Sequence, residues 1–158
     1  MKSLTLHVIG EPKGQPRARV ARQAGFAWMY NPATADAWKR LVILAASIEL
    51  QGCKAERPVF TGPVRVDITL RFPRPKSHYR SNGELKPTAP TYHTAKPDRD
   101  NCDKAILDAL GAASLQLWRD DAQVCSGVVT KLYVEPGGTA GARIHILDLS
   151  DENLPANG

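Results

Sequence analysis

The sequence predicts an α+β fold, a single domain with a mixed, mainly antiparallel sheet and two helices packed on it. Three observations carry this. Val64, Val66, Ile68, Leu70 and Phe72 alternate with Arg65, Asp67, Thr69 and Arg71, the period of a strand with one buried and one polar face. Trp38, Leu41, Val42, Ala45 and Ile48 recur at helical spacing. The segments follow in the order strand, helix, strand, helix, strand, strand, without a repeat or a linker. A chain of 158 residues fits one domain, expected over 1–149, with a polar, frayed tail at 150–158.

The elements are justified in turn. From Ser3 to Ile9, Leu4, Leu6 and Val8 fall on one face and Thr5 and His7 on the other, a strand. Gly10 to Arg17 is a Gly/Pro loop with basic residues, and Phe26 to Tyr30 is a short strand. Asn31-Pro32 starts the first helix, with asparagine as N-cap and proline at the first helical position, and Gly52 stops it. After the strand at 64–72 comes a stretch from Pro73 to Pro87 with no periodicity, three prolines and five basic residues counting His78, read as a long mobile loop that contacts nucleic acid, with a solvated insertion of no role as the alternative. The second helix is placed at Asn101 to Ala113, with Cys102, Ile106, Ala109, Leu110 and Ala113 as its apolar stripe. Leu115 to Arg119 crosses back, Val124 to Val134 forms one long strand, Pro136-Gly137-Gly138 turns, and Arg143 to Leu149 is the last strand.

Composition narrows the class. Hydrophobic residues at 42% and charged residues at 23% are ordinary for a soluble globular domain. The longest apolar stretch, Leu41 to Ser47, is too short for a membrane span, and the N-terminal residues read as a strand rather than a signal peptide, so a cytoplasmic protein is expected. Cys53, Cys102 and Cys125 are odd in number and form no C-x-x-C, which argues against a disulfide framework and a zinc site. His7, His78, His93 and His145 lack ligand spacing and read as structural or surface residues.

Net charge is +5, and its distribution says more than its size. Segment 1–50 carries seven Lys/Arg against three acids, and segment 71–99 carries seven against two. Lys13, Arg17, Arg19, Arg74, Lys76 and Lys96 are the candidate DNA contacts. Against this background stand Lys96-Pro97-Asp98-Arg99-Asp100-Asn101-Cys102-Asp103-Lys104 and Trp118-Arg119-Asp120-Asp121-Ala122-Gln123-Val124. Asp98 and Asp100 point the same way in an extended segment. A helix starting near Asn101 returns Lys104, four residues on from Asp100, beside the carboxylates. If the chain returns along that helix, Asp120 and Asp121 meet the first pair, one of the two facing the metal. Asp103 reads as a favourable first-turn charge. Carboxylates holding Mg²⁺, with an ammonium beside the scissile phosphate, are the equipment of a metal-dependent phosphodiester enzyme. A non-catalytic DNA-binding protein derived from such a nuclease is the alternative, since a basic surface serves both. A nucleotide phosphohydrolase has no glycine-rich phosphate loop to support it.

The pattern Asp98-x-Asp100-Asn101-x-x-Lys104, then Asp108-Ala109-Leu110 and Trp118-x-Asp120-Asp121-Ala122-Gln123-Val124, resembles the RusA family of Holliday junction resolvases, most densely over 96–134. Gly10-x-Pro12…Gln15-Pro16-Arg17-x-Arg19 is similar to that family's opening strand and basic loop. The resemblance implies a small homodimeric endonuclease of DNA recombination and repair, often phage or prophage encoded, that resolves four-way junctions with Mg²⁺, or Mn²⁺ in its place. It implies that Asp98, Asp100 and Asp121 are metal-binding and catalytic, that Lys104 is the essential lysine, and that Asp120 is a supporting acid.

Overall fold

The computed structural model describes residues 2–30, 32–52, 57 and 59–151. Among them the strands are β1 (Ser3–Ile9), β2 (Arg19–Gln23), β3 (Phe26–Tyr30), β4 (Val64–Phe72), β5 (Val124–Ser126), β6 (Val129–Tyr133) and β7 (Gly141–Asp148). The helices are α1 (Asp36–Gly52) and α2 (Arg99–Leu110), with 3₁₀ turns at Ala33–Ala35, Lys76–His78 and Asp121–Gln123.

β4 organises the sheet. On one side β7 runs antiparallel to it, from Val64 opposite Asp148 to Arg71 opposite Gly141, and β1 runs antiparallel to β7 at the edge. On the other side β5 and β6 lie parallel to β4, one after the other. The sheet is therefore mixed, and both helices pack on one of its faces. Leu4, Leu6 and Val8, the apolar row of β4, and Ala142, Ile144 and Ile146 form a core with Trp38, Val42 and Ala46 of α1 and Ala105, Ile106 and Ala109 of α2. No charged or polar residue is buried among the described ones. The opposite face is polar, with Thr5 Oγ1 2.8 Å from His145 Nδ1 and Arg65 paired with Asp67.

Several expectations are corrected. The strand predicted over Val124 to Val134 is two strands. At the break, a Cβ on Gly127 would run into the Val66 carbonyl oxygen, and Asp67 accepts the Val128 N–H in place of a ladder bond. The buried row of α1 is Trp38, Val42, Ala46 and Leu50, a single i±4 ridge. Leu41 and Ile48, placed in the apolar stripe by spacing, are exposed together with Leu44. Pro32 stands outside the helix with ψ 137° and leads into the 3₁₀ turn; the predicted cap Asn31 lies outside the described residues, as do Cys53 and 152–158. α2 begins at Arg99, two residues earlier than predicted, so Asp103 sits in its second turn rather than its first. It ends at Leu110, where the Gly111 N–H reaches the Leu107 carbonyl.

The Pro73–Pro87 stretch is built rather than shapeless. Arg74 donates to the carbonyls of Val134 (2.7 Å) and Pro90 (2.7 Å), Lys86 donates to Ser77 (2.7 Å), and Tyr79 bridges Leu85. Basic side chains supply the donors that the irregular backbone needs. β2 and β3 form a separate two-stranded ribbon outside the main sheet.

Candidate metal and nucleic-acid site

The site begins at the N-terminus of α2. Asp98 occupies the N-cap position with extended backbone (φ −66°, ψ 150°), yet its side chain makes no capping bond. Asp100 follows in the first turn. The two are thus part of a helix start, not an extended segment, and unpaired N–H groups and the helix dipole favour negative charge there. Neither carboxylate has a hydrogen-bond or ion-pair partner among the described residues. Their backbone is fixed from two sides. Lys131 Nζ donates to the carbonyls of Ala95 (2.7 Å) and Pro97. The Gln15 N–H donates to the Asn101 carbonyl at 2.8 Å. Gly14 lies so close that a Cβ there would come within 2.7 Å of Pro97 Cβ, which explains why this loop has glycine at that point.

Between the 11–19 segment and the helix start lies a cleft of about 740 Å³. Lys13, Arg17, Arg19 and Lys96 line it, together with Asp98 and Asn101. Lys13 is paired with Glu11 at 2.9 Å; Arg17, Arg19 and Lys96 have no ion pair among the described residues. The other two basic candidates lie elsewhere. Arg74 is occupied by the loop carbonyls and by the Tyr133 ring, 5.3 Å from its guanidinium carbon. Lys76 is exposed on a 3₁₀ turn and does not line the cleft.

Two cleft residues escaped sequence reasoning. His93 stacks on Phe72 with ring centroids 3.9 Å apart. Loss of water, and then the nearby Lys131 charge, push its pKa below the ordinary 6.5. Its Nδ1 and the Gln15 Oε1 are buried without partners, so the cleft wall carries unsatisfied polar atoms. Gln15 belongs to the Gln15-Pro16-Arg17 motif; no spacing signal marks His93.

Lys104 lies one turn beyond Asp100, but its ammonium does not fold back. It sits 3.3 Å from Asp108 Oδ1, while Lys39 of α1 holds Asp108 Oδ2 at 3.2 Å. Lys104, Asn101, Arg17 and Asp108 border one hollow beside the main cleft. Asp103 faces the other way, against Val66, Leu107 and Val129. Burial raises its pKa, opposed by Arg99.

Asp120 and Asp121 are at the far end of α2. Asp120 caps the 3₁₀ turn, its Oδ1 accepting from the Ala122 N–H at 2.7 Å. Asp121 Oδ1 accepts from Trp118 Nε1 at 2.8 Å and lies against Gly111, the residue after the last turn of α2. A helix of 12 residues is about 18 Å long, so these acids do not meet Asp98 and Asp100 within one chain. The reason is topological. β5 is parallel to β4 and starts beside its first residue, Val64, whereas Asp98 lies in the cleft with Phe72, its last. Accordingly no three His, Cys, Asp or Glu side chains converge among the described residues. Asp98 and Asp100 still suit a hard cation such as Mg²⁺, which takes one or two carboxylates and completes its shell with water and phosphate oxygens.

The family profile described as Endodeoxyribonuclease RusA matches residues 10–146 of the chain. The chain is also 34% identical over 145 residues to the protein named "Uncharacterized protein YqaN" of Bacillus subtilis (strain 168), a match covering 85% of this chain and 91% of that protein. No helix among the described residues is long and apolar enough to cross a membrane.

Proposed function

The chain belongs to the RusA family of endodeoxyribonucleases, and on that footing we propose a Mg²⁺-dependent nuclease that cuts branched DNA, four-way junctions above all, as a homodimer. The observation that supports this most is the pair of carboxylates, Asp98 and Asp100, at a helix start beside a cleft lined by Arg17, Arg19 and Lys96, all without an ion-pair partner among the described residues. Two bare aspartates there would repel DNA unless a cation joined them, and the surrounding arginines and lysine suit a polyanion.

Asp98 and Asp100 would hold the cation, Mg²⁺ or Mn²⁺. When bound, it supplies activation of water and neutralisation of charge on the phosphate. Lys96, Arg17 and Arg19 draw the phosphodiester into the cleft. Lys104 is held only by an exposed i,i+4 pair with Asp108, a weak restraint, so its ammonium can turn to the scissile phosphate as charge builds there.

Asp121 needs a different account, since it lies at the opposite end of α2. We infer that it acts from the second chain. A two-fold axis beside α2 would bring the C-terminal end of one helix to the N-terminal end of the other, and so Asp121 of one protomer to Asp98 and Asp100 of its partner. The experiment mixes Asp100→Asn chains with Asp121→Asn chains, each inactive alone. Shared sites restore one intact site per mixed dimer, which nicks a junction when Mg²⁺ is present and not with chelator. Sites built within one chain give no cutting in any mixture.

A further inference from the structure

We propose that the β2–β3 ribbon is a base-stacking wedge, with Phe26 and Trp28 laid against the base faces exposed at the branch of the DNA, where the stack is interrupted. This rests on the nuclease reading above and adds the contact that would distinguish branched DNA from continuous duplex. The register places Gln23 opposite Phe26 and Ala21 opposite Trp28, so both aromatics share one face with Arg19. Phe26 is 77% exposed and Trp28 47% exposed, while Met29 and Val20 stand exposed on the reverse face. Among the described residues the ribbon joins no other sheet, and residues 19–29 contribute nothing to the hydrophobic core. It is nonetheless well made: Ala24 (φ 49°) and Gly25 (φ 84°) form a two-residue turn with positive φ at both positions, the geometry that matches strand twist. A folded ribbon that displays Phe26 and Trp28 outside the core offers a surface for a partner.

Charge selects the partner. Residues 12–35 contain Lys13, Arg17, Arg19 and Arg22 and no Asp or Glu. A second copy of the ribbon would set these cations against each other. A polyanion with flat aromatic faces would neutralise the arginines and cover the rings at once. Continuous duplex hides base faces within its stack; single strands and interrupted stacks at a branch present them. Phe26 and Trp28 are about 7 Å apart along their strand, roughly two stacking steps. The location fits as well, because Arg19, the first residue of the ribbon, lines the cleft that holds Asp98.

Trp28 provides its own readout, since Trp38 and Trp118 are buried. With divalent metal withheld, tryptophan emission is titrated with single-stranded oligonucleotide, four-way junction and blunt duplex. The expected result is quenching by the first two and little by duplex. Phe26→Ala and Trp28→Ala should each weaken junction binding by roughly 5- to 150-fold and leave duplex binding unchanged. Trp28→Phe should retain most of the affinity because its ring still stacks, and an unchanged far-ultraviolet circular dichroism spectrum and unfolding midpoint in Trp28→Ala would separate lost stacking from a lost fold. Equal quenching by duplex, wild-type junction affinity in Trp28→Ala, or a change in sedimentation alone with DNA binding intact would overturn the wedge. These results would leave the nuclease reading standing. A wild-type protein that cuts no junction with Mg²⁺ would remove that reading itself.

Discussion

Asp98 and Asp100 are separated by a single residue but hold different stations, one at the N-cap position of α2 and one inside its first turn. If both hold the cation, Asp98→Asn and Asp100→Asn should each abolish Mg²⁺-dependent cleavage and leave junction binding unchanged or tighter, because asparagine removes charge that repels phosphate. Cleavage and band-shift assays on the same junction check this, and a variant that still cuts at the wild-type rate is not a ligand. Lys104→Ala should lower the cleavage rate by on the order of a hundredfold with circular dichroism unchanged, as befits an exposed side chain. His93 yields a pH prediction. Its folded pKa lies below the 6.5 of the unfolded chain, so as pH falls through that interval the unfolded state takes up a proton that the folded state resists. His93 thus contributes stability above pH 6.5 that is lost as pH falls through the folded value. His93→Phe, which preserves the stack on Phe72, should flatten the decline in unfolding midpoint between about pH 7 and pH 5. An unchanged slope would assign that decline to other groups. Spacing placed Asp98, Asp100 and Lys104 on one helix, but it did not show that Lys104 pairs with Asp108 or that Asp121 lies at the opposite end of α2. His93 was not legible, because it reaches the cleft through a bridge between Tyr92 and Leu132, 40 residues apart in sequence.

At the scale of elements, the basic residues separate into two kinds that sequence alone treats alike. Arg17, Arg19 and Lys96 line the cleft, whereas Arg74 holds the 73–90 loop to β6 and its neighbour Val134. Neutralising the first three should lower the salt slope of DNA binding by roughly one for each lost phosphate contact. Arg74→Ala should instead reduce thermal stability, because two loop carbonyls lose their donor, and should leave the slope near wild type. Binding titrated over a series of salt concentrations distinguishes these outcomes; equal slopes for both variants would place the DNA on another surface. Elements with a strict period were read correctly. β4 alternates over nine residues and is buried and half-buried in the same alternation. Where two structures satisfy one pattern, the period did not decide. The run from Val124 reads as one strand until Gly127 is pressed against Val66.

For the whole molecule, assembly is the open dimension. Leu41, Leu44 and Ile48 form an exposed apolar row on α1, and Ile9 is exposed at the end of β1. The two-fold axis inferred beside α2 does not need this row. Leu44→Glu combined with Ile48→Glu should therefore leave the dimer intact in sedimentation, without loss of helical signal, as both side chains already face solvent. A shift from dimer to monomer would put the interface on α1 and sink the shared Asp121 sites.

The sequence by itself determined the class of fold, the single buried face of β4, the helix that carries Asp98, Asp100 and Lys104, and the family. Each of these depends on local spacing, which is covalent. Tertiary structure alone decided which acids can meet. Two motifs close in sequence lie at opposite ends of α2, because β5 starts beside the first residue of β4. It also decided which cations have no ion pair among the described residues and that the Phe26 and Trp28 rings are exposed. Such facts belong to contacts between segments distant in the chain, and a one-dimensional period records only the neighbours of each residue along it.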